Sequence, residues 1–98
     1  MDELTKELQR FLVRLHYSPQ DVSPQMVHYI EHLIHLLPVK DEEAVAHYFG
    51  ILGQEQLALD ELAQQRGLSP ERMMEQIDNH LRKLAVSPEW QMLKQLIK

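Results

Sequence analysis

The chain has 98 residues, 44% of them hydrophobic and 26% charged, with a formal net charge of −5 and no cysteine. That is enough chain for one domain with one modest core, in the composition of an ordinary soluble globular protein. The lack of cysteine excludes disulfides and thiolate metal sites, and the negative balance is opposite to that of a domain living on phosphate contacts.

No apolar run approaches the roughly 20 residues needed to span a bilayer. The opening MDELTKELQ is acidic and periodic rather than a basic signal peptide. A cytoplasmic protein with no membrane partner is the expectation, and a reducing compartment suits a chain without thiols.

Glycine is scarce and no strand-like alternation lasts, so the chain is read as helices. Ser-Pro occurs at Ser18-Pro19, Ser23-Pro24, Ser69-Pro70 and Ser87-Pro88. Serine caps the first amides of a helix, and proline next to it lacks an amide proton and is preset near helical φ. The last three pairs are read as helix starts and the first as a loop. The spacing predicts a first helix over 2–16, with Leu4, Leu8, Phe11, Leu12 and Leu15 on one stripe. A second runs over 24–37, with Met26, Tyr29, Ile30, Leu33, Ile34 and Leu37 inward, and Pro38 ends it. A third starts near Asp41 as cap, carries Ala44, Val45, Tyr48 and Phe49, and closes at Gly50 and Gly53. A fourth covers 58–66, a fifth 70–85 and a sixth 88–97, the last with Trp90, Leu93, Leu96 and Ile97. The expected fold is all-α, a compact domain of five to six helices over 1–98.

The run from Leu59 to Leu84 has the outline of a helix-turn-helix. Leu62 fills its apolar fourth position, Ala63 the small fifth, and Gly67 the turn, where a left-handed backbone is wanted. Leu68 and Met73 are expected in the core on either side. Arg66 and Gln76 depart from the outline, since apolar residues are usual at those places.

The order of these elements resembles the fourth conserved region of sigma-70 family factors, the promoter-recognising subunits of bacterial RNA polymerase. The likeness is carried by MVHYIEHLIHLLPVKDEEAVAHYFGILG over 26–53, by Leu57-Ala58-Leu59-Asp60-Glu61, by Glu71-Arg72 and by Leu81-Arg82-Lys83-Leu84. It covers roughly 22–97, divided into a first half over 22–53 and the helix-turn-helix with its last helix over 57–97. Residues 1–17 have no counterpart in it. The resemblance implies a stand-alone module. In the family the first half forms an apolar pocket for the flap of the polymerase β subunit, which would here involve Ala44, Val45, Tyr48 and Phe49. The second half reads promoter DNA.

The charges oppose that last role. On a 3.6-residue wheel, Met73, Ile77, Leu81 and Leu84 mark the buried side of the fifth helix. The opposite side carries Pro70, Glu71, Met74, Glu75 and Asp78, with Arg82 a turn later. Base edges are read mostly by Arg, Lys, Asn and Gln, whereas three carboxylates would face the phosphate field here. Arg72 and Lys83 flank the face and reach phosphates at most weakly. The expected partner is therefore RNA polymerase or another transcription protein, met by Glu71, Arg72, Met74, Glu75, Asp78 and Arg82, with Met74 exposed among acids. Direct promoter binding through 70–85 is the first alternative. A purely structural or oligomer-forming module is the second.

His28, His32 and His35 form a stripe on the second helix, and His28-Tyr29-Ile30-Glu31-His32 spells H-x-x-E-H. Zinc hydrolysis needs a third ligand and a larger cleft, so the stripe is read as a solvated face and no catalytic residue, metal or cofactor is assigned; capture of a stray metal by His28 and His32 is the sharper reading. Trp90 is expected to cover the core with its indole N–H near water. The first helix carries Lys6, Arg10 and Arg14 beside acids and is read as covering the core, or else as a docking or dimerisation helix.

Overall fold

A computed structural model describes residues 2–96. It contains six α-helices and, among the described residues, no strand. Helix α1 (Glu3–Tyr17) is started by Asp2, whose carboxylate accepts from the Thr5 amide at 2.8 Å and the Thr5 hydroxyl at 2.6 Å. Those two bonds hold the Asp2 carboxyl below its ordinary range, with the Arg82 guanidinium adding a smaller pull. They also satisfy Thr5, which is buried inside an apolar stripe.

Three of the four Ser-Pro pairs act as the sequence predicts. Ser23 starts α2 (Pro24–Ile34), Ser69 starts α5 (Pro70–Ala85) and Ser87 starts α6 (Pro88–Leu93). Each serine hydroxyl accepts the amide three residues on, at 3.2, 3.2 and 3.3 Å. The remaining pair begins a single 3-10 turn, Pro19–Asp21, rather than an open loop.

Three boundaries differ from expectation by more than one residue. Helix α2 stops at Ile34, because Leu36 and Leu37 return their amides to Leu33 and Ile34 in tighter turns, although Leu37 stays buried. Helix α3 spans Val39–Phe49, with Pro38 and not Asp41 as its cap. The amides of Asp41 and Glu42 already bond the Pro38 carbonyl, so Asp41 lies inside the first turn. Helix α6 ends at Leu93 and tightens into a 3-10 turn, Lys94–Leu96; Ile97 lies outside the described residues. Between α3 and α5 sits the short α4 (Leu59–Gln65).

Helix α5 is the central element. It packs on α1, α3, α4 and α6, and its Met73, Ile77, Leu81, Leu84 and Ala85 are all buried. The buried side chains of the six helices form one cluster, into which α1 sends Leu8, Phe11, Leu12 and Leu15. At about 1.5–3 kcal/mol per fully buried large apolar side chain, those four contribute on the order of 6–12 kcal/mol, which is as much as a domain's net stability.

Candidate functional site

The connection between α4 and α5 is four residues, Arg66 to Ser69. Gly67 takes φ +68°, its amide reaches the Gln64 carbonyl at 3.2 Å, and the Leu68 amide reaches the Ala63 carbonyl at 2.9 Å. That pair of bonds is a Schellman closure, which needs a left-handed residue where Gly67 stands. Leu62 and Ala63 on one side and Met73 on the other are buried, and Leu68 packs against the core while half-exposed.

On α5 the apolar seam is turned inward, as the wheel predicts. Outside it, Glu71, Arg72, Glu75 and Arg82 are exposed and Asp78 is half-buried. Among the described residues no lysine, arginine or histidine pairs with Glu71, Glu75 or Asp78. Asp78 Oδ1 is shut from water without a hydrogen-bond partner there, an arrangement that costs free energy. Met74 is not exposed as expected. It is half-buried, and its sulfur accepts from the Tyr48 hydroxyl at 3.6 Å. Met74 packs partly against the core, and the aromatic that meets its sulfur comes from α3.

Ala44, Val45 and Phe49 lie inside the core at 1%, 0% and 4% exposure, so their side chains face other helices and not an open groove. Tyr48, half-buried, is the member of that set that reaches the surface, and it meets the α5 face at Met74. Tyr48, Met74 and the exposed acids thus form one continuous feature, where the sequence suggests two.

Arg66 and Gln76, the two departures from the helix-turn-helix outline, lie on one cleft. With Lys40, Glu43, Gln65 and Leu68 they line an open cleft of about 520 Å³ where α3, α4 and α5 converge. Arg66 donates to the Lys40 carbonyl at 2.9 Å, so a guanidinium ties the end of α4 to the first turn of α3. Sequence reasoning marks both residues as anomalies. Only the packing shows that they share a wall. Nearby, His80 Nε2 lies 3.4 Å from Asp41 Oδ1 without making a hydrogen bond. Burial pushes His80 below the ordinary histidine range; the Asp41 carboxylate pulls the other way, and Lys83 and Arg66 add to the lowering.

The histidine stripe faces solvent: His28, His32 and His35 are all exposed. His35 pairs with Glu42 at 2.7 Å. Among the described residues no three histidine, aspartate or glutamate side chains converge as metal ligands. Trp90 is 1% exposed, tilted on Phe11 at 6.1 Å between ring centres. Its indole N–H is buried without a partner, not near water as expected. Beside it, Arg10, Arg14 and Lys94 rim a depression of about 490 Å³ between α1 and the C-terminal turn. Part of the positive charge of this acidic chain therefore lies on α1. No helix among the described residues is long and apolar enough to cross a membrane. Compared with models of protein families, with curated proteins and with solved structures, the chain matches none.

Proposed function

We propose that the protein is a helix-turn-helix module of transcription, akin to a sigma fourth region, that works in the cytoplasm by touching RNA polymerase or another regulator rather than by reading DNA. The observation that carries this reading is the outer face of α5, where Glu71 and Glu75 stand in solvent with no basic partner among the described residues. Inserted in a major groove, these acids would meet the phosphate field with no ion-pair partner of their own. Against a basic protein surface the same acids give attraction and orientation, and the Tyr48–Met74 contact beside them supplies a polarizable apolar centre. Ala44, Val45 and Phe49 then serve as the packing behind this face.

The test is a pull-down on core RNA polymerase. Wild-type protein is expected to be retained, and Glu71→Lys with Glu75→Lys is expected to lower retention at least tenfold with helical content unchanged. Absence of wild-type retention sinks RNA polymerase as partner.

A second reading, promoter binding through α5, is favoured by the glycine-closed four-residue turn and by exposed Arg72, Arg82 and Lys83 on the flanks. Fluorescence anisotropy on mixed duplex DNA at about 50 mM salt decides it, since a phosphate-driven complex is strongest there. Under the protein-contact reading no binding is seen, and Glu71→Gln with Glu75→Gln raises affinity only if the turn geometry suits the groove.

A further inference from the structure

We infer that His28 and His32 form a two-histidine site on α2 for a borderline divalent transition metal such as zinc, nickel or copper(II). The two rings project from successive turns of the helix, both exposed, with centres 4.5 Å apart and planes at 87°. Their Nε2 atoms stand 3.1 Å from each other. An ion bonded to each nitrogen at about 2.0–2.1 Å would see them at an angle of about 100°, between the square and tetrahedral values. Without metal, one ring donates its Nε2 proton to the lone pair of the other. To take a metal, the donor ring shifts its proton from Nε2 to Nδ1, both rings remain neutral, and the two freed Nε2 lone pairs turn toward the ion.

The surroundings favour a cation. His32 lies in the last turn of α2, where the free carbonyls carry partial negative charge. Imidazole nitrogen selects zinc, nickel and copper over magnesium and calcium, which prefer oxygen. With two protein ligands the remaining positions are held by water, which makes the site open and exchangeable. The other histidines are differently engaged: His16 Nδ1 is at 2.8 Å from the Gly50 carbonyl oxygen, His47 Nδ1 at 2.9 Å from that of Glu55, His35 is on Glu42, and His80 is largely buried.

The inference is independent of the transcription reading. It is tested by titrating the full chain with zinc, nickel, copper(II) and magnesium chlorides, followed by calorimetry and, for zinc, by the histidine ring-proton NMR signals. One ion per chain is expected, tightest for copper and undetectable for magnesium, with the His28 and His32 signals the ones displaced by zinc. His28→Gln and His32→Gln should each weaken binding at least tenfold, and His35→Gln should leave it unchanged. Both histidines of the pair are exposed, and circular dichroism checks that the variants keep their helices. No saturable binding up to about 1 mM metal, or binding that survives both single substitutions, overturns the site.

Discussion

Two glycines share a left-handed backbone and differ in what surrounds them. A β-carbon on Gly50, at φ +66°, would stand 2.6 Å from Gln56 Cβ and 2.8 Å from His16 Nδ1. One on Gly67, at φ +68°, meets nothing within 4 Å. Gly67→Ala should therefore lose about 1 kcal/mol, the backbone strain alone, while Gly50→Ala should lose at least about 2 kcal/mol, with steric conflict added. Urea unfolding of the two variants side by side measures the difference. His80 makes the stability depend on pH. Its folded-state pKa lies below the ordinary value near 6.5, so between the two values the unfolded chain binds more protons. The stabilisation is complete above about pH 6.5 and is lost as pH falls from there toward the depressed folded value. In His80→Leu the fall in unfolding free energy between about pH 7 and 5 should be shallower than in wild type; an identical slope would exclude His80 as a cause.

At the scale of the element, capping is the strongest local instruction in this chain. Ser69 holds the Arg72 amide at 3.2 Å at the start of the helix that organises the core. Ser69→Ala should cost about 1 kcal/mol in thermal or urea unfolding without changing the fold. Local chemistry of this kind is what makes the helices legible from residues alone: Ser-Pro fixes three starts, Gly67 fixes the Schellman turn, and the period of α5 sets its buried seam. The boundaries that differ are settled by groups the local pattern does not contain. Asp41 has the right type for a cap, but the Pro38 carbonyl takes the first amides and leaves Asp41 to face His80. Leu37 keeps the apolar period while the backbone has already tightened. The candidate site was half legible for the same reason. The acids follow from helical period within α5, whereas the Tyr48 cover on Met74 and the Arg66–Gln76 cleft join residues on separate elements, which no spacing rule relates.

At the scale of the whole molecule, α1 is a structural member and not an appendage. Leu8, Phe11, Leu12 and Leu15 are all buried, and α1 packs directly on α5 and α3. A chain beginning at Val22 should fail to fold cooperatively, because the order of 6–12 kcal/mol it forgoes matches a typical total stability. Loss of the sigmoidal urea transition in that truncation is the expected result, and a transition within about 1 kcal/mol of wild type would assign the core to the other helices. Charge acts at this scale as well: protonating the six histidines takes the formal charge from −5 to −5 + 6 = +1, so solubility should pass through a minimum near the sequence isoelectric point of about 5.6.

The chain holds one tryptophan, and it is sealed against Phe11 where α1 meets α6. Its emission is consequently a resident gauge of that seam, blue-shifted while α1 is seated and moving to the red once water reaches the indole. Because the acidic face belongs to α5, a partner that binds there without prying α1 loose should leave the spectrum still, and a wavelength change on mixing would identify a ligand that opens the seam.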